Sequence, residues 1–167
     1  MARPRRLTGV SYVGPAAYFV TTCTLSRIRV FDDIEFGREA ATLLVAYSAR
    51  HSFAVSAYCL MPDHAHVLVT GTTPEASLSS LVRIWKQVTG YRWQARQGQR
   101  LWQPGYFERV LRPDEPSLTV ARYIIENPVR AGLARSAASY PLTGSSVYSV
   151  DEIVDAVQID FGCRWRP

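Results

Sequence analysis

The chain has 167 residues, 47% of them hydrophobic and 20% charged, with a net charge of +5. At that length a chain buries roughly 70% of the surface its unfolded form exposes, so one domain over 1–167 is expected, with no metal or disulfide needed to hold its core. No apolar run approaches the roughly 18 residues of a membrane span, and the start, MARPRRLTGV, lacks the apolar segment of a secretory signal, which points to the cytoplasm. Cys23, Cys59 and Cys163 lack zinc-site spacing and read as thiols in a reducing compartment. Of the 19 basic residues only Lys86 is a lysine. A guanidinium grips phosphate through a planar fork and stacks on bases, so the bias suits nucleic acid. A GC-rich genome produces the same bias without any ligand.

In chain order, AAYFVTTCTL (16–25) is rich in β-branched and aromatic residues and predicts a strand. DIEFGREAATLLVAYSARHS then turns to helical spacing, with Phe36, Ala40, Leu43, Leu44 and Tyr47 on one side and Asp32 or Asp33 as cap. FAVSAYCLM (53–61) predicts a second strand, Pro62-Asp63 a turn, and HAHVLVTG (64–71) a third strand. Leu78, Leu81, Val82, Trp85 and Val88 form the apolar stripe of a second helix, which makes Trp85 a core residue. YFERVLR (106–112) alternates as a fourth strand. The third helix is SLTVARYIIENPVRAGL, capped by Ser117 and ended or kinked at Pro128. Beyond Gly132 the pattern is weak and little structure is expected, which confines the core to about 10–135 and leaves 136–167 as a tail. The order β-α-β-β-α-β predicts an α+β, ferredoxin-like (RRM-like) antiparallel sheet with two helices on one face and an added C-terminal helix.

His64 and His66 are two apart on the third strand, so they share one face of the sheet. Such a pair is a structural accident, a metal site or half of a catalytic centre. Tyr123 and Asn127 are four apart in the third helix, about 5–6 Å between Cβ atoms, and share a helix face. Two imidazoles and an amide oxygen can hold one divalent ion with positions open for phosphate oxygens, and a phenol can attack phosphorus.

YCLMPDHAHVLVTG, LWQPGYFERVLR and RYIIENPVRAGL together resemble the single-tyrosine HUH transposases, most closely the REP-associated tyrosine transposases of bacteria. The HUH signature (His, hydrophobic, His) falls on His64-Ala65-His66, and the Tyr-x-x-x-Asn motif followed by Pro falls on Tyr123, Asn127 and Pro128. The resemblance implies a metal-dependent transesterase that cleaves and rejoins single-stranded DNA beside a palindromic hairpin. Tyr123 would be the nucleophile, forming a 5′-phosphotyrosine, and His64, His66 and Asn127 would hold Mg²⁺ or Mn²⁺. It also implies a monomer, or else a dimer that exchanges tyrosine helices. The chain departs from the family in its tail, where YPLTGSSVYS keeps Ser145-Ser146 but lacks the tryptophans of a WPWSS-like segment.

Around that centre, Asp63 is a turn residue or a partner of the metal site. Glu108 orients a ligand histidine, approaches the metal, or is an exposed strand carboxylate. Arg83, Lys86, Arg92 and Arg96 are candidates for phosphate, with Trp93 or Tyr91 to stack on a base, and Arg3, Arg5 and Arg6 form a basic arm that could reach the hairpin. Two competing readings remain: a nucleic-acid-binding module without catalysis, and a metal-dependent hydrolase, which would need further His or Asp ligands.

Overall fold

A computed structural model describes residues 12–112 and 114–156. Four strands, β1 (Ala17–Cys23), β2 (Phe53–Met61), β3 (His64–Gly71) and β4 (Phe107–Val110), alternate with two long helices, α1 (Ile34–Arg50) and α2 (Leu78–Gln97), in the expected order. Among the described residues the further α-helices are α3 (Ser117–Ile125), α4 (Asn127–Arg130) and α5 (Val150–Ala156), and a short strand β5 (Thr143–Gly144) precedes α5. The sheet runs β4-β1-β3-β2-β5, with every neighbouring pair antiparallel, so β3 is its middle strand. Among the described residues, no helix is long and apolar enough to cross a membrane.

Alternation along β3 divides its side chains between two layers. Val67 and Val69 meet Leu44 of α1 and Leu81 and Trp85 of α2. Trp85 is 1% exposed and its indole N–H donates to the Ala40 carbonyl (2.9 Å), which ties α2 to α1. His64, His66, Leu68 and Thr70 therefore point to the other face, where α3 lies against β2 and β3. The helix buries Val120, Ala121, Ile124 and Ile125 there.

The caps resolve differently from one another. Asp33 caps α1, accepting from the Phe36 N–H (3.0 Å), while Asp32 pairs with Arg29. The expectation for Ser117 is corrected: Pro116 holds the cap position and Ser117 is the first helical residue. At its other end the helix breaks after Ile125, and Pro128 opens the separate turn α4.

The tail needs a larger correction. It is a fifth strand and a clamp, with Leu142 completely buried. The Tyr140 hydroxyl donates to the Leu60 carbonyl (2.9 Å), and the Leu60 N–H donates to the Leu142 carbonyl (2.9 Å). The Leu142 side chain rests on Gly37 of α1, where a Cβ would come within 2.5 Å of it. Pairing of β2 with β3 shifts register between Val55 and Ala57, and at that bulge Val55 bonds to both Ser145 and Ser146. Periodicity could not reveal this segment, because its hold is a few side-chain bonds and one knob rather than a repeating pattern.

Candidate active site

The two histidines sit at the start of β3 with their Nε2 atoms 3.1 Å apart. Each ring's other nitrogen is held: Nδ1 of His64 lies 2.6 Å from the Asp63 carboxylate, and Nδ1 of His66 lies 2.9 Å from the Thr21 hydroxyl. Thr21 reaches His66 because β1 and β3 pair them directly, and Phe19, two residues back on the same face, stacks on the His66 ring at 5.5 Å. The two Nε2 atoms are hydrogen-bonded to each other, so one of them carries a proton; with that proton gone, both rings, steadied at Nδ1, would aim Nε2 lone pairs at one point. Burial first, and then the charges of His64, Arg130 and Arg27, push the His66 pKa down to about 3, so this ring is neutral at neutral pH.

Asp63 is more than a turn residue. Its carboxylate spans His64 and the Arg27 guanidinium (3.3 Å), and its carbonyl accepts from the Thr24 backbone and hydroxyl. Burial works to raise its pKa, but the bond and charge of His64, together with Arg27, outweigh it and the net shift is downward. Ser26 and Arg27 both take positive φ values (55° and 59°), a costly conformation for side-chain-bearing residues. That strain lies in the segment that brings Arg27 to Asp63.

At the break between α3 and α4, Pro128 has no N–H, so the Ile124 carbonyl loses its helical donor. The Asn127 amide nitrogen supplies one instead, donating to Ile124 O (3.1 Å) and to Tyr123 O (3.0 Å). With the nitrogen committed, Asn127 Oδ1 accepts no hydrogen bond among the described residues. Arg130, seven positions after Tyr123, lays its guanidinium over the Tyr123 ring at 4.1 Å and also donates to the Tyr123 carbonyl. Its second partner is Glu126 (3.5 Å), which in turn pairs with Arg122. The turn packs on β2, whose Cys59 pairs with His66, and the charge of Arg130 works to lower the pKa of both side chains.

Other candidates fall elsewhere. Glu108 pairs in register with Val20, which pairs with Val67, so it stands on the α1/α2 side and cannot orient either histidine. Its neighbour Phe107, 45% exposed, pairs with Thr21 and shares the histidines' face. Trp93 is core, packed on Phe36 at 4.9 Å, which leaves Tyr91 as the exposed aromatic of α2. Arg92 and Arg96 both bind the Glu39 carboxylate, and Lys86 donates to the Gln103 (2.8 Å) and Gly105 carbonyls. Arg83 remains unpaired among the described residues; Arg3, Arg5 and Arg6 lie outside them.

Thr21, Phe19 and Arg130 were missed in the sequence. The first two become visible only with strand register, whereas Arg130 continues the i, i+4, i+7 spacing of Tyr123 and Asn127. Among the described residues, no group of three or more His, Cys, Asp or Glu side chains is disposed to hold a metal ion by itself.

Comparison with solved structures shows the same fold in a REP-associated tyrosine transposase bound to a REP hairpin. The TM-score is 0.66 at 22% identity, over 86% of this chain and 82% of that one. A candidate transposase from Deinococcus radiodurans aligns less closely, with a TM-score of 0.49 and 24% identity over 73% of this chain and 97% of the other. No curated protein matches the chain. The family model for IS200-like transposases matches residues 13–127, a span that contains both histidines, Tyr123 and Asn127. A match over that much of the sequence makes this chain a member of the IS200-like transposase family.

Proposed function

We propose that this transposase cuts and rejoins single-stranded DNA beside hairpins through a covalent link to Tyr123, with His64, His66 and Asn127 holding a divalent ion. The observation that carries the reading is the pair of Nε2 atoms 3.1 Å apart, each ring fixed through its Nδ1. Two ligands on bonds of about 2.1 Å at a right angle are about 3 Å apart, so the separation suits adjacent positions on one ion. The open Oδ1 of Asn127 supplies an oxygen of the right kind. This nitrogen-containing donor set favours Mn²⁺ over Mg²⁺, since imidazole is a poor match for the harder ion.

When bound, the ion would polarise the scissile phosphodiester and neutralise charge developing on its oxygens. The residues of the chain do the rest. Asp63 and Thr21 keep both imidazoles aimed and supply basicity to them. Tyr123 Oη attacks phosphorus, the P–O3′ bond breaks, the phenolic proton passes to water and the 3′ oxygen takes one up. The new tyrosyl phosphodiester conserves the bond energy, so a 3′-OH can reverse the step and rejoin a strand. Arg130 steadies the Tyr123 ring by cation–π contact and brings positive charge to where phosphate must lie. Phe107, exposed beside Thr21, offers a flat surface for an unpaired base. The hairpin as partner is supported by the structural neighbour's REP hairpin.

The test is to incubate the protein with Mn²⁺ or Mg²⁺ and a hairpin with single-stranded flanks, then resolve it under denaturing conditions. A slower, DNA-labelled band that is absent with Tyr123→Phe and with chelator is expected. Adduct persisting in Tyr123→Phe removes the nucleophile assignment, and hairpin binding with no adduct under either metal favours a binding module instead.

A further inference from the structure

An open groove of about 570 Å³ lies between the outer side of α2 and the segment that leads into β4. Its floor is apolar, formed by the buried Leu101 and Trp102, and its walls carry Arg83, Arg100, Gln87, Gln94 and Tyr106. Among the described residues, no carboxylate lines it. Neither Arg83 nor Arg100 has an ion-pair partner among the described residues, unlike Arg92 and Arg96, which share Glu39. Lys86 is committed to backbone carbonyls and so shapes the wall rather than offering a free charge. Tyr91 stands at the rim, 75% exposed.

Gly90 is the second observation. It sits inside α2, where glycine is less stable than alanine. Packing does not require it, since a Cβ there would meet nothing closer than Trp102 Cδ1 at 3.9 Å. What its missing side chain does is leave the groove open.

We infer that this groove binds one unpaired nucleotide of single-stranded DNA, with Tyr91 stacking on the base and Arg83 and Arg100 holding its phosphates. The chemistry is complementary in each part: an apolar floor for base and sugar, amides for the base edge, and two uncommitted guanidiniums for anionic oxygens. Its position is also suitable. The Gln103 N–H donates to the carbonyl of Cys23, which pairs with His64, so the groove abuts the strand end that carries the histidines. Tyr106 lines it, while the next residue, Phe107, faces the histidine side, so one strand could pass from pair to groove over the β4 edge. The inference rests on the single-stranded DNA reading above and names a second contact on that substrate.

The experiment uses the full chain and a mixed-sequence oligodeoxynucleotide of about 12 nucleotides carrying photoreactive 5-iododeoxyuridine. Crosslinks are expected at Tyr91, Trp102 or Tyr106. Tyr91→Ala, the Arg83→Ser/Arg100→Ser double variant and Gly90→Leu, which fills the groove, should each weaken binding about tenfold or more with an unchanged circular dichroism spectrum. Crosslinks confined outside 82–106, affinities within about twofold of the unsubstituted chain, or no binding of the oligonucleotide at all would overturn the assignment. Tighter binding of a matched RNA would overturn the choice of DNA. The adduct assay on the unsubstituted protein reads the catalytic assignment separately, so the two can fail independently.

Discussion

Asn127 performs two jobs with the two ends of one amide. Its nitrogen repairs the hydrogen bond that Pro128 removes, and that bond turns its oxygen outward. Arg130 acts on the neighbouring tyrosine in a similar way, through a ring contact and a carbonyl bond together. Arg130→Met should therefore slow adduct formation by about tenfold, the worth of a partly desolvated cation–π contact plus lost charge, while Arg130→Lys recovers part of the rate. Equal rates for Met and wild type would show that the ring contact is only packing. Lys86 offers a pH test away from the histidines. Burial pulls its pKa down to about 8 from the usual 10.5, so between those values the unfolded chain holds a proton that the folded chain has released. Stability should rise with pH across that window, and the urea midpoint of Lys86→Met should rise less. A neutral amine still has two N–H donors for the two carbonyls, so the loop stays tethered.

Among the elements, those with a strong period were legible in the sequence. Both long helices and the first three strands declare themselves through apolar spacing, and the β-α-β-β-α-β order placed His64 and His66 at the head of the central strand. Which face the pair takes was not legible, because alternation gives two faces without saying which one the helices cover. Glu108 illustrates the same gap: its closeness in a familiar segment suggested a role that register then removed. The tail was illegible for another reason. Its hold on β2 depends on Leu142 resting on Gly37 and on serines at a bulge, and neither leaves a pattern. Leu142→Ala should cost about 2–5 kcal/mol in urea unfolding, as expected of a fully buried leucine. A loss below about 0.5 kcal/mol would mean the tail is dispensable to the core.

Across the whole molecule, the architecture separates duties by layer. One face of the sheet carries α1, α2 and the tryptophans that hold the core, and the other carries the histidines beneath α3 and α4. A ligand that binds only the folded site should stabilise the whole fold by mass action. Mn²⁺ at 100 times its dissociation constant should add about 2.7 kcal/mol, visible as a higher melting temperature, with no change in His64→Ala/His66→Ala. An equal rise in that double variant would place the ion elsewhere.

The repaired helix break at Pro128 bears on how this protein would decay if it performs the proposed DNA cleavage and selection for that activity ceased. Beyond their bond to each other, His64 and His66 are each tied to the rest of the fold by one Nδ1 hydrogen bond on a half-buried face, and drift could replace the pair at modest cost. Asn127 would be kept, because the backbone itself depends on its amide wherever Pro128 persists. A lineage that has lost the histidines but still carries Asn-Pro at this turn would be a retired enzyme, and the surviving asparagine in it would testify to architecture alone.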